Sequence, residues 1–318
     1  MRVLITGGAG FIGSNLAARA LAEGIDVTVI DNFVTGFKTN LVGLDVTAVE
    51  ASILDTGALD EALSGADSVV HLAALPSVPR SIDDPMASHA ANATGTLTVL
   101  ERARAAGVQH VVVASSSSVY GMNPALPKSE REWVRPMSPY AVSKLATEQY
   151  ALAYQESFGL RTTAFRFFNV YGPGQTAGHA YAAVIPAFVE ALLDDRPLRV
   201  QGDGAQSRDF TYVGTVCRVL LQTAIRRLSH PEPVNLAFGT NTTLLDLIDV
   251  LASVSGRTPQ VKHGLPRSGD VKHSQADNHV LRALFPDVEP VPLERPSSGC
   301  TDSSSAPRQA RPTRAQGV

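Results

Sequence analysis

The chain has 318 residues, 44% of them hydrophobic, and a formal net charge of -3. That is enough apolar material for one large α/β unit or two domains, and the slightly acidic balance argues against a general polyanion-binding surface, so nucleic acid is not an expected partner. No apolar run approaches the roughly 18 residues of a membrane span. The opening MRVLITGGAG leads into a glycine turn rather than a signal-peptide core, and the two cysteines, Cys217 and Cys300, supply neither a disulfide framework nor a thiolate metal site. A cytoplasmic protein with no membrane association and no metal is expected.

Short β-branched runs alternate with amphipathic segments along the chain. RVLITG, DVTVID, TAVEAS, SVVHLA and HVVVAS read as strands and RTTAFRFFNVYG as a sixth, while NLAARALAEG and NATGTLTVLERARAAG have helical spacing. Continuous apolar strands separated by helices predict a parallel sheet covered on both faces, a Rossmann-type, doubly wound α/β fold. This first unit is expected over residues 1–176. From about Ala177 the rhythm changes, and AVIPAFVEALLDD and TLLDLIDVLASVSG predict a smaller, mostly helical lobe over 177–293, with a strand or helix able to return to the first unit. Residues 294–318, rich in Ser, Pro, Arg and Gln and without an apolar period, are expected to be a disordered tail.

The first segment with chemistry is TGGAGFIG, Thr6 to Gly13, directly after a strand and opening a helix. Glycines at Gly7, Gly10 and Gly13 let the backbone approach a pyrophosphate, and a helix amino terminus offers unpaired N–H groups and a positive dipole. Asp31 ends the second strand eighteen residues after Gly13, where a carboxylate accepts ribose hydroxyls and repels a 2′-phosphate; no arginine adjoins it. The cofactor expected is NAD rather than NADP. His71, at a strand end, reads as a packed or hydrogen-bonded histidine, because no second ligand stands at metal spacing.

With TGGAGFIG, DN at Asp31, HLAA at His71, SSSSVYG, YAVSK, RFFNVYGPGQ and GDGAQSRDFTYV, the chain resembles the extended short-chain dehydrogenases/reductases, in the NAD-dependent nucleotide-sugar epimerase/dehydratase branch, over about 1–293. The resemblance implies that the backbone at Phe11 and Ile12 meets the pyrophosphate, Asn32 the adenosine, and Ala73 and Ala74 the face of the cofactor, while Asn92 helps to hold the wall of the site. Ser52 and Ile53 border the adenine; Ser52 is a departure, since the family usually has Asp there, and a modest loss of cofactor affinity is expected.

In Tyr140-x-x-x-Lys144 a helical spacing of four puts both side chains on one face. An unperturbed tyrosine titrates near about 10. Two positive charges, Lys144 and the oxidised nicotinamide, are expected to lower that value and make Tyr140 the general base. The resemblance selects Ser116 as the hydroxyl that binds the reacting sugar oxygen and bridges its proton to Tyr140. Ser115, Ser117 and Ser118 read as polar residues satisfying a strand end, with Ser117 and Ser118 also on the substrate side. Dehydrating relatives carry Asp-Glu where this chain has Ser117-Ser118, so the resemblance implies reversible oxidation without elimination, most simply 4-epimerisation of a UDP-hexose.

By the same resemblance Asn169, Arg208, Arg267 and Asp270 bind the nucleoside diphosphate, and Val184 and Val200 flank uracil. Ser274 stands where relatives restricted to unsubstituted hexoses have a tyrosine, leaving room for a 2-acetamido group. The arginine that glucuronate epimerases place after VYGP is absent, with Thr176 near that position, and Arg80 is an alternative carboxylate partner. UDP-glucose/UDP-galactose is the leading substrate expectation, UDP-glucuronate or UDP-N-acetylglucosamine the alternative; an NAD-binding sensor has no need of the Tyr140/Lys144 pair. A homodimer is the family habit.

Overall fold

The structure, a computed structural model, describes residues 1–176, 183–265 and 272–293. The tail, Cys300, Arg267 and Asp270 lie outside the described residues. Strands β1 (Arg2–Thr6), β2 (Asp26–Asp31), β3 (Thr47–Glu50), β4 (Ser68–His71), β5 (His110–Ser116) and β6 (Arg161–Phe167) lie parallel in one sheet. A seventh strand, β11 (Val234–Leu236), pairs parallel with β6, giving the order β11-β6-β5-β4-β1-β2-β3. The order reverses between β1 and β4, and in such sheets that is where a crevice opens at the carboxyl ends of the strands.

Strand alternation divides the apolar residues between the two faces. Val3, Ile5, Val70, Val112, Phe165 and Phe167 pack on one side with helices α1 (Phe11–Ala22) and α8 (Val213–Arg226). Leu4, Val69, Val111, Val113 and Ala164 face the other, under α2 (Thr56–Leu63), α5 (Gly95–Ala105) and α6 (Pro139–Phe158). Between α2 and α5 lie two short helices, α3 (Val78–Asp83) and α4 (Pro85–His89), and a π-helical turn over Ala90–Thr94.

Helix α6, which carries the Tyr/Lys pair, has well-defined ends. Ser138 caps it by accepting from the Ala141 N–H at 3.1 Å, Pro139 opens its first turn, and Gly159 closes it in the left-handed region at φ 68°. Helix α1 begins differently. Its cap is Gly10, with no side-chain hydrogen bond to the first turn, so N–H groups there are left for another acceptor.

A third apolar cluster joins α7 (Val184–Leu193), β8 (Leu198–Gln201) and α9 (Leu244–Ser255). β13 (Val261–Gly264) runs parallel with β8. The region after 183 does not stay apart from the sheet: α8, β11 and Leu281, Phe285 and Val288, at and beyond α10 (His279–Leu284), belong to the first core. RTTAFRFFNVYG, expected as one strand, is two. After Phe168 turns into a cluster with Val119 and Tyr120, β7 (Asn169–Tyr171) leaves the sheet and pairs with β10 (Phe210–Tyr212). No helix among the described residues is long and apolar enough to cross a membrane.

Candidate active site

At the switch point a cleft of about 770 Å³ opens. Its first wall is the turn after β1, where Gly7, Gly10, Phe11, Ile12 and Gly13 all line it. Gly7 sits at φ 70°, and a Cβ there would lie 2.7 Å from the Ala73 nitrogen; a Cβ on Gly13 would lie 2.3 Å from the Gly7 carbonyl oxygen. Only glycine lets the turn close this tightly against the β4 end and the start of α1. The shallow backbone cradle and the uncapped amino end of α1 fit a pyrophosphate.

Asp31 fixes the next wall. One carboxylate oxygen accepts from the Ala9 N–H at 2.9 Å and the other from the Phe33 N–H at 2.8 Å, tying the end of β2 to the glycine turn. Each oxygen keeps lone-pair capacity, so this carboxylate can also accept ribose hydroxyls. Asn32, Ser52 and Ile53 line the same part of the cleft. The Ser52 hydroxyl accepts from the Leu54 N–H at 3.2 Å, so it serves its own turn as well as facing the cavity.

Ala73 and Ala74 form the wall after β4. The Ala73 N–H reaches Thr6 Oγ1 at 3.2 Å, and the same hydroxyl lies 2.7 Å from His71 Nδ1, whose Nε2 lies 3.0 Å from Thr96 Oγ1. Burial, with Lys144 adding to it, pushes His71 down to about 3. It is therefore a neutral structural imidazole. No group of His, Cys, Asp and Glu that could hold a metal occurs among the described residues. Asn92 lies beneath the wall rather than on it: its carboxamide accepts from the Leu75 N–H at 2.7 Å and donates to the Leu75 carbonyl at 3.2 Å and to Ser143 Oγ at 3.0 Å. It bolts the loop after β4 to α6. Arg80, on α3, lines the cleft.

Ser116, Tyr140 and Lys144 meet on the far wall. Ser116 Oγ accepts from the Ser118 N–H at 3.2 Å and Ser118 Oγ at 3.0 Å, and it lies close enough to the Tyr140 phenol to pull its pKa down. A hydroxyl has one proton to donate and two lone pairs, so the two contacts from Ser118 leave the Ser116 proton for Tyr140. Burial raises the Tyr140 pKa and the Ser116 contact lowers it. Lys144 Nζ donates to the Ala114 carbonyl at 2.8 Å, and burial brings it down to about 8. The expected lowering of Tyr140 is not found: burial outweighs the Ser116 contact and holds the phenol above its ordinary value, so positive charge brought to it has that penalty to overcome.

The rest of the serine cluster has other duties. Ser115 Oγ is buried against Glu148 Oε2 at 2.8 Å and the Lys144 carbonyl at 3.2 Å. Ser117 and Ser118 belong to a single 3-10 turn over Ser117–Tyr120 and do not line the cleft.

The described residues assigned to the nucleoside diphosphate, Asn169, Val184, Val200 and Arg208, do not line this cleft either. Val200 is corrected outright: it is 0% exposed in the core with Phe188, Leu198 and Leu247, and offers uracil no surface. Val184 is half-buried against the same core. Asn169 opens β7, its N–H on the Asp209 carbonyl at 3.1 Å. Arg208 Nη1 donates to the Ser207 carbonyl at 2.9 Å and the Lys272 carbonyl at 3.3 Å, and the Ser274 N–H to the Ser207 carbonyl at 3.1 Å, so these two assigned residues are brought together. Sequence reasoning assigned no role to Asn40, whose amide donates to the Ala9 carbonyl at 2.8 Å, or to Phe168 and Gln175, which line the cleft from RFFNVYGPGQ. Asn40 lies in a four-residue 3-10 turn, Lys38–Leu41, too short to show a period.

Comparison with known proteins agrees with this geometry. The model of the NAD dependent epimerase/dehydratase family matches residues 3–237. A UDP-glucose 4-epimerase of Mycolicibacterium smegmatis is 38% identical over 293 residues, covering 90% of this chain and 92% of that one. A probable UDP-glucuronate 4-epimerase of Rhizobium meliloti is 34% identical, covering 89% and 91%. Among solved structures, the UDP-N-acetylglucosamine 4-epimerase from Methanobrevibacter ruminantium M1, in complex with UDP-N-acetylmuramic acid, superposes with a TM-score of 0.86 at 36% identity, covering 91% of this chain and 93% of that one.

Proposed function

The chain belongs to the NAD-dependent epimerase/dehydratase family, and from that premise we propose that it inverts C4 of a UDP-hexose, UDP-glucose/UDP-galactose, through a transient 4-keto sugar. NAD is the cofactor, held by the glycine turn, Asp31 and the wall at Ala73–Ala74, and it supplies a reversible hydride acceptor beside the sugar. Tyr140 takes the proton of the C4 hydroxyl, directly or through Ser116 once the Ser118 hydroxyl turns away and frees a lone pair there, as the C4–H bond gives up its hydride and the carbonyl forms. Lys144 stabilises the phenolate by its charge. After the ketosugar turns, bound NAD would supply the hydride to the other face, and the proton held at Tyr140 goes back to the C4 oxygen.

One observation carries epimerisation over elimination. Among the described residues lining the cleft, Asp31 is the only carboxylate, and both its oxygens accept backbone N–H groups. Loss of water from a ketosugar needs an acid and a base beside the ring, and no second carboxylate lines the cleft among the described residues. Arg80 favours a second reading, because besides Lys144 it is the only cation among those residues, which suits the carboxylate of UDP-glucuronate. The pairing of Arg208 with Ser274 supports diphosphate and sugar recognition by that end of the chain, together with Asn169, Val184, Arg267 and Asp270. Exposed Val142 and Tyr150 on α6, with Ile82 and Met86 on α3 and α4 packed beside it, support a homodimer, and a cytoplasmic site of action completes the proposal. Light scattering of the purified protein tests the dimer.

The purified protein is to be incubated with UDP-galactose, UDP-glucuronate and UDP-N-acetylglucosamine without added NAD, and the products read by NMR. Interconversion of UDP-galactose and UDP-glucose is expected. A 4-keto-6-deoxy product, or no turnover of any sugar by protein that retains NAD, would overturn the proposal.

A further inference from the structure

The three catalytic groups sit on two elements, Ser116 at the end of β5 and Tyr140 with Lys144 on α6. Their spacing therefore depends on what fastens that strand end to that helix. Lys144 Nζ reaches the Ala114 carbonyl, and in the other direction Ser115 Oγ reaches the Lys144 carbonyl and Glu148. Glu148 is one helical turn after Lys144, with its side chain 0% exposed. It is held by Arg166, whose Nε donates to Oε2 at 3.0 Å and Nη2 to Oε1 at 2.7 Å, a fork-on-carboxylate geometry. Arg166 on β6 is the registered partner of Ser115 on β5, so the two side chains rise from neighbouring strands to one carboxylate. The Arg166 guanidinium also stacks over the Tyr120 ring at 4.7 Å and donates to the Glu130 carbonyl at 3.2 Å. Tyr120 ends the turn that begins next to Ser116.

We propose that Ser115, Glu148 and Arg166 form a buried clasp whose task is to set the distance between Ser116 and Tyr140, with Ser115 as its positioning residue. Of the three, only Ser115 borders the cleft, and its hydroxyl is engaged with Glu148 and the Lys144 carbonyl. A buried ion pair is weak evidence for a gain in stability, since a well-packed apolar replacement is often as stable; what this one adds is a fixed place for the Ser115 hydroxyl. The residue next to it in the chain is the one that must meet the phenol.

The inference rests on the epimerase reading, and the test separates the two. Ser115→Ala leaves the Glu148–Arg166 pair intact. Its kcat is expected to fall at least about tenfold with KM little changed, because loss of orientation costs the chemical step rather than binding. Ser115→Thr, which keeps the hydroxyl, should restore most of it. The double variant Glu148→Leu/Arg166→Met should melt near the wild type yet show most of the Ser115→Ala loss, since the hydroxyl then loses its carboxylate and keeps only the longer contact to the Lys144 carbonyl. Ultraviolet titration of the Tyr140 phenol, taken as the difference from Tyr140→Phe, reads the same geometry without turnover and should shift upward in Ser115→Ala. Wild-type kcat and an unmoved titration in Ser115→Ala would overturn the clasp, as would a double variant with full activity. Failure of the wild type to turn over any UDP-sugar, with the titration still shifted in Ser115→Ala, would overturn the epimerase reading alone.

Discussion

The walls assigned to the cofactor and the residues assigned to the diphosphate of the sugar nucleotide are organised by different interactions. In the first region the glycine turn, Asp31, Ser52 and Ala73–Ala74 all line the cleft, held by backbone hydrogen bonds such as Ala9 N–H to Asp31 at 2.9 Å. In the second, Val200 is packed into a core and Arg208 is bonded to the carbonyls of Ser207 and Lys272. The difference teaches where family likeness transfers safely. A turn that closes only with glycine leaves one geometry for its residues; a half-buried arginine or a fully buried valine in a lobe is free to serve packing instead.

Four substitutions and one pH series break or sharpen that contrast. The largest effect is expected at the firmest site: Tyr140→Phe removes the base and keeps the packing, so epimerisation should fall at least about 10²-fold with NAD retained. Near-normal turnover would defeat the assignment. Gly13→Ala places a Cβ 2.3 Å from the Gly7 oxygen; overpacking of this kind costs about 1–3 kcal/mol, read as a lower melting temperature together with weaker NAD retention.

His71 tests the same region by pH. Its folded value, about 3, lies below the ordinary 6.5, so the unfolded chain binds more protons between the two. The stability it contributes is full above about pH 6.5 and is lost as pH falls through that window towards about 3. Thermal melts of wild type and His71→Asn across that range should converge as the pH drops. Parallel curves would assign the acid sensitivity elsewhere.

In the second region Val200→Ala should lower the melting temperature and leave KM for the UDP-sugar unchanged; a raised KM with unchanged melting would return Val200 to the uracil. The smallest effect is expected from Ser274→Tyr. It should remove turnover of UDP-N-acetylglucosamine while sparing UDP-glucose, and no difference between the two sugars would end the argument for a roomy pocket.

What the sequence disclosed follows the same division. The five β-branched runs from RVLITG to HVVVAS and the spacing of Tyr140 and Lys144 are local patterns, and each appears in the structure as a strand or a helix face. β11 escaped because three residues in HPEPVNLAFG carry no period, and RTTAFRFFNVYG split because its apolar run continues past the point where Phe168 leaves the sheet. The anchoring of Asn92 was legible only as a likeness, and the clasp at Ser115 joins residues on three elements, a relation that no window along the chain displays.

The return of the chain to β11 bears on how the protein is made. During translation β6 leaves the ribosome as an exposed strand edge, and its partner does not exist until residue 236 has been added. The buried amide of Asn235 then closes the gap, accepting from the Tyr120 hydroxyl at 2.7 Å and donating to the carbonyls of Lys128 at 2.8 Å and Asp277 at 3.1 Å. The nascent cofactor half therefore cannot finish its sheet early. A ribosome stalled before that strand would display an open edge for neighbouring chains to join, so expression of the amino-terminal part alone should yield aggregates rather than a small NAD-binding protein.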